Sequence, residues 1–158
     1  MEIPQAAQEV DLGNGNIVGQ IIIIIVLTLI NAFFSAAEMA MVSVDQNKLK
    51  RDYEDGDKKA GKILDLLDDQ SNLLSVIQVA ITLAGFLNSA FAATGISYKL
   101  AYLLKGWNIP YYITVSQVLI TFLLSFLTIV FGELVPKRIA IIKSEEFARF
   151  SIGPITFF

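Results

Sequence analysis

Hydrophobic positions in this chain fall in long unbroken blocks rather than in alternation. Leu12–Ala37, Leu73–Tyr98 and Trp107–Gly132 each run 26 residues without Asp, Glu, Lys or Arg. About 20 apolar residues carry a helix across a bilayer. The pattern therefore predicts an all-α membrane protein with three transmembrane helices, near residues 17–44, 72–104 and 109–136. The Ile21–Ile25 block would form helix poorly in water, but lipid forces backbone hydrogen bonds to close within the segment. Glycines Gly85 and Gly95 are expected breaks in the second span, and Pro136-Lys137-Arg138 the end of the third.

Between the first two spans, residues 45–71 carry most of the charge. Lys48, Lys50, Arg51, Lys58, Lys59 and Lys62 mix there with acids. Leu49, Tyr53, Ile63, Leu64, Leu66 and Leu67 make the segment partly amphipathic. It predicts one or two surface helices, broken near Gly56 or Gly61. Residues 106–110 form a turn flanked by Tyr102, Trp107, Tyr111 and Tyr112, an aromatic set suited to the membrane interface. Residues 145–158 start a further helix. The chain stops inside an apolar stretch at Phe157-Phe158, so a longer protein is expected.

Charge adds direction. Six Lys or Arg lie in the linker and four after Val135, against two in the 95–110 turn and none in residues 1–16. Positive charge stays inside, which predicts a cytoplasmic linker and carboxyl end and an outer amino terminus. That terminus lacks the basic start of a signal peptide. The chain has no His and no Cys, which excludes nucleophiles of those types, a zinc site and disulfides. No enzyme is expected, and no nucleic-acid partner.

Polar residues inside the spans follow helical spacing. Thr28, Asn31, Ser35 and Glu38 share one face of the first span. Ser71, Ser75, Gln78, Thr82, Gly85 and Ser89 share one of the second. Thr114, Gln117, Thr121, Ser125, Thr128 and Gly132 share one of the third. Lipid cannot satisfy such groups, so these faces turn inward. Small polar residues also pack helices together, which is the plainer reading of any one of them. Glu38 and Glu133 are different, because a carboxylate at mid-membrane costs roughly 2.5–3.5 kcal/mol. Either they line an ion site, or they reach the headgroups, or Glu38 pairs with Lys137 or Arg138. By depth, Ser75, Gln78 and Thr82 match Ser35, Glu38 and Glu133. Pro136 lacks the N–H that would bond the Gly132 carbonyl, so that carbonyl is expected to be free. Carboxylate, hydroxyl, amide and carbonyl oxygens suit magnesium, calcium, manganese or sodium.

Three ordered motifs carry a resemblance: Asn31-Ala-Phe-Phe-Ser35-Ala-Ala-Glu38, Gln78-Val-Ala-Ile-Thr82-Leu-Ala-Gly85, and Phe131-Gly-Glu133-Leu-Val-Pro136-Lys137-Arg-Ile-Ala140. They resemble the CorC/CNNM family of magnesium transporters, whose bacterial members are often labelled hemolysin-like. The resemblance covers about residues 17–158. It implies the family's transmembrane domain, a homodimer in the bacterial or archaeal inner membrane, and export of Mg2+ as substrate, with Na+ as coupling ion. It also implies a cytoplasmic CBS-pair domain elsewhere in the full-length protein. Ser35, Gly132, Glu133 and Pro136 match the family's ion-site motifs. The second span departs. Many members read Gly-Asn-Asn-Leu where this chain has Ala80-Ile81-Thr82-Leu83, so Thr82, Ser75 or Gln78 is expected to stand in for an amide ligand. The metal set expected is Ser35, Gly132, Glu133, Thr82, Ser75 and Asn31, with Glu38, Gln78, Pro136 and Lys137 along the ion path. A membrane-embedded magnesium sensor that transports nothing is the alternative.

Overall fold

The computed structural model describes residues 14–94 and 96–157. It is helical throughout these residues: α1 Asn14–Ser43, α2 Gln46–Glu54, α3 Lys58–Asp68, α4 Gln70–Thr94, α5 Ile96–Gly106, α6 Tyr112–Ile129, α7 Val135–Ile142 and α8 Ser144–Phe157. A π-helical turn, Val130–Leu134, joins α6 to α7. Three segments are long and apolar enough to cross a membrane: Ile17–Ser43, Gln70–Gly106 and Tyr112–Ile142. Little of their most apolar windows is covered within the chain, at 17%, 22% and 6%. The uncovered side chains, such as Ile22, Leu29, Leu83, Phe86, Phe122 and Phe126, would be untenable in water and suit hydrocarbon.

Helix α1 is the centre of the fold, packed against α4, α7, α8 and the π turn. Close approach comes from its small residues. Ala36, Ala37 and Ala40 are buried, with Met41 filling the space beyond them. The core continues through Leu49, Ala60, Ile63, Ile77, Ala140, Ala148 and Ile152. It therefore lies toward the charged end of the spans. There α8 folds back on α1 and α3, and Phe33 meets Phe147 and Phe150 at ring centroids 6.4 and 6.2 Å apart.

The linker breaks once. Asp45 caps α2, accepting from the Asn47 and Lys48 N–H groups at 2.9 and 3.2 Å. Asp57 caps α3 in the same way, as an N-cap aspartate should. Between them Gly56 has φ +99°, a conformation that costs other residues more. Gly61, the alternative break, lies inside α3 beneath the Tyr53 ring, where a Cβ would come within 2.6 Å of that ring. Arg149 of α8 ties this layer together. It bonds Asp57, Asp52 (2.7 Å) and Glu145 (3.3 Å), while Lys48 pairs with Glu145. The Arg149 hydrogen bond holds the Asp57 carboxyl below its usual range, and the Lys48 bond does so for Glu145.

Three expectations about helix ends need correction. Gly85 breaks nothing: α4 runs through it, because in lipid no solvent competes for the backbone bonds that glycine would otherwise loosen. Gly95 lies outside the described residues, as does most of the polar amino-terminal stretch. The third span begins at Tyr112 rather than Ile109, since Asn108 and Tyr111 have left-handed φ values of 54° and 56°. Nor does Pro136 end it. The Val135 N–H reaches back five residues to the Val130 carbonyl, and the wider turn lets α7 continue to Ile142 past a proline in its first turn.

Candidate functional site

An open cavity of about 340 Å³ lies between helices α1, α4 and α6. Its polar lining comes from all three: Asn31 on α1, Thr82, Asn88 and Ser89 on α4, and Thr121, Ser125 and Thr128 on α6. Glu133, from the π turn, supplies the one charged group of the lining. The stripes face inward because each is polar on one side and meets lipid on the other.

Above Glu133 the three helices are joined by amides. Asn88 Nδ2 donates to Thr28 Oγ1 at 3.1 Å and to Thr128 Oγ1 at 2.9 Å. Asn31 Nδ2 donates to the Gly132 carbonyl at 3.3 Å. That carbonyl is thus not free: the amide occupies the place that the missing Pro136 N–H leaves. Gly132 lets the two helices approach closely here. A Cβ would stand 3.1 Å from Asn31 Nδ2 and 3.4 Å from Thr28 Cγ2. What remains unbonded is a set of oxygens. Asn31 Oδ1, Asn88 Oδ1 and Ser35 Oγ are all buried and find no partner. Burying an unbonded polar atom costs about 1–3 kcal/mol, and three within a few helical turns call for an explanation.

Below the cavity Lys137 of α7 lies between two carboxylates, 2.9 Å from Glu133 Oε1 and 3.2 Å from Glu38 Oε2. All three side chains are partly buried, Glu133 least so at 37% exposed. Glu38 faces the other way, into an open groove with Ser71, Ser75 and Gln78 of α4.

The structure thus divides the residues expected to meet. Asn31, Thr82 and Glu133 share the cavity, with Gly132 behind Asn31. Ser35 is wholly buried on the same face of α1, one turn from Asn31. Ser75 and Gln78 line the Glu38 groove instead. Ser75 is seven residues from Thr82, about 10 Å along the helix, so one small ion cannot touch both. Their hydroxyls back-bond within α4, Ser75 to Ser71 and Thr82 to Gln78, each at 2.8 Å. Asn88 was missed by the spacing argument, which stepped from Gly85 to Ser89. An amide three residues from Gly85 inside an apolar run was the available signal. Among the described residues no three His, Cys, Asp or Glu side chains cluster as a metal centre would need. Any ion held here would rest on neutral oxygens around one or two carboxylates.

Fold and site define an integral membrane protein whose spans line an open cavity with apolar walls, a set of hydroxyls and amides, and one carboxylate. Comparison gives the family. Residues 21–158 match the Cyclin M transmembrane N-terminal domain, and the chain belongs to this CNNM family. It is 35% identical over 131 residues to a UPF0053 protein of Synechocystis sp., covering 82% of this chain and 29% of that one. A Haemophilus influenzae relative named polyamine export protein is 28% identical over 142 residues, covering 87% of this chain and 32% of its own length. The UPF0053 inner membrane protein YfjD of Escherichia coli is 28% identical over 119 residues, covering 75% and 25%. The chain therefore spans less than a third of the length of each of these three relatives.

Proposed function

We propose that this chain is the membrane domain of a secondary transporter that exports Mg2+ from the cytoplasm, with Na+ as the exchanged ion. The observation that carries the reading is the cavity itself. Asn31 and Asn88, each with a buried oxygen that has no partner, line the cavity together with the Glu133 carboxylate, and the Ser35 hydroxyl is a third such oxygen one turn along α1 from Asn31. All are hard donors of the kind magnesium prefers. Magnesium sheds water reluctantly, and six waters occupy roughly 180 Å³ of liquid. A cavity of about 340 Å³ leaves room for a partly hydrated ion. On this reading the chain works as a homodimer in the inner membrane. Its amino terminus is outside, its linker is cytoplasmic, and a CBS-pair domain lies elsewhere in the full-length protein.

Glu133→Gln tests the site. It keeps the shape and one oxygen but removes the balancing charge. Magnesium at 100 times Kd should stabilise the purified parent chain by about 2.7 kcal/mol, read as a rise in Tm. The variant should lose that rise and should lose Mg2+ flux in liposomes. If the variant binds magnesium as well as the parent does, Glu133 is no ligand. Binding without flux in the parent would make the protein a sensor.

A second cargo has one observation in its favour. The Lys137 ammonium between Glu38 and Glu133 is the geometry in which a primary alkylammonium, such as the end of a polyamine, would sit. Competition between spermidine and Mg2+ for the same stabilisation distinguishes the two cargoes.

A further inference from the structure

We propose that Lys137 is a tethered competitor for the transported cation: its ammonium holds the Glu38–Glu133 carboxylate pair when no ion is bound and withdraws from both carboxylates when one arrives. The proposal rests on the magnesium reading above. Three observations carry it.

The first is position. Glu133 opens into the cavity between the spans, and Glu38 opens into the groove with Ser71, Ser75 and Gln78. Lys137 touches both carboxylates, at 2.9 and 3.2 Å. It therefore bridges one carboxylate from each opening, and a cation bound by both carboxylates would take the place of the ammonium.

The second is charge. Two carboxylates and one ammonium carry net charge −1. A dication added to all three leaves +1 in a poorly solvated place, which is costly. With the ammonium withdrawn, the same dication and the two carboxylates sum to zero. Charge balance makes Lys137 and a divalent ion alternatives on the Glu38–Glu133 pair.

The third is the side chain. Lysine is a compact point charge on a flexible four-carbon stem, so it can swing off both carboxylates without moving its helix. When the ion departs, the returning ammonium spares Glu133 the cost of a bare carboxylate at this depth. That return helps expel the ion and keeps affinity moderate, which a carrier needs in order to release its cargo.

The test uses Lys137→Met and Lys137→Arg in the full chain, with Mg2+ as the probe. By isothermal titration in detergent, Lys137→Met should bind Mg2+ at least about tenfold more tightly than the parent, since no ion pair has to be broken first. In proteoliposomes its maximal flux should fall while its half-saturating Mg2+ concentration falls too. Lys137→Arg keeps the charge and should restore affinity to within about threefold of the parent. Should Lys137→Met fail to fold, the parent supplies its own readout. Mg2+ should speed acetylation of the Lys137 amine by acetic anhydride several-fold, read by peptide mass spectrometry. Affinity unchanged or weakened in Lys137→Met, or an acetylation rate that Mg2+ leaves alone or lowers, overturns the proposal. Glu133-dependent magnesium binding that ignores Lys137 overturns this proposal alone. No magnesium binding by parent or variant overturns the magnesium reading and this proposal with it.

Discussion

Two regions of the protein use similar polar chemistry to opposite ends. In the α2–α3–α8 layer, Arg149 is shared among Asp52, Asp57 and Glu145, and Lys48 takes the remaining side of Glu145. Both helix-capping aspartates are engaged by backbone N–H groups. Between the spans, amides and hydroxyls bond one another only in part, leaving oxygens on Asn31, Ser35 and Asn88 without partners. The saturated layer holds a shape. The unsaturated one holds a shape and keeps capacity for something that is not protein. The cost falls where water is least able to offset it, which is why the unsaturated region and not the charge-rich one is the candidate site.

The sharpest way to break this comparison is Gly132→Val. A Cβ already stands 3.1 Å from the Asn31 amide, and two further methyls have no room. The α1–π-turn contact should open, with a loss of about 2–4 kcal/mol from overpacking and a broken hydrogen bond. Thermal unfolding in detergent measures it, and a Tm within 2 °C of the parent would mean that the helices do not meet here.

Arg149→Met should cost less, about 1–2 kcal/mol, because the network is partly open to water. Magnesium affinity should be unchanged. The same network gives a pH dependence with a definite sign. Asp57 and Glu145 have folded pKa values below their unfolded ones. Their contribution is therefore complete above the ordinary carboxyl range, and is lost as pH falls through about 4 and below. Limited proteolysis of the linker between pH 7 and 3 should show acid loosening in the parent and a flatter profile in Arg149→Met.

Asn88→Leu should have the smallest effect on stability, within about 1 kcal/mol, since it deletes two hydrogen bonds and one orphan oxygen together. Thr28 keeps its bond to the Ile24 carbonyl. Its effect should instead appear as weaker magnesium stabilisation. Loss of stability in place of loss of binding would place Asn88 with Arg149 as a structural residue.

Much of this was legible in the chain beforehand. Charge-free runs of 26 residues are a membrane signature that composition alone delivers. The stripes follow from helical spacing, and Thr82, Ser89, Thr121, Ser125 and Thr128 lie where that spacing puts them. The π turn was not legible. Pro136 removes a donor, and sequence alone does not say whether the helix stops, kinks or widens. Packing against α1 and the Asn31 amide decides that. The pairing of Glu133 with Lys137 was readable as an i, i+4 spacing. The pairing of Glu38 with Lys137 was one of the readings open from the sequence and is the one found, whereas the sharing of that lysine between both carboxylates was not read. Asn88 was missed because a stripe drawn through small residues steps over a larger one beside it.

The wide turn at Val130–Leu134 has a geometric consequence of its own. A helix couples depth to angle, since each residue advances 1.5 Å and turns about 100°. One residue of slack uncouples them, so the third span is two screws with separately set phases. The upper screw aims Thr121, Ser125 and Thr128 at α4, and the lower aims Lys137 at α1. Tightening the turn to an ordinary helix with every residue kept would swing everything after it by about 100°, carrying the lysine off Glu38, whereas deleting one residue as the turn tightens would leave the lower screw in its present phase. Angular phase, more than residue identity, is what the extra residue in this turn encodes.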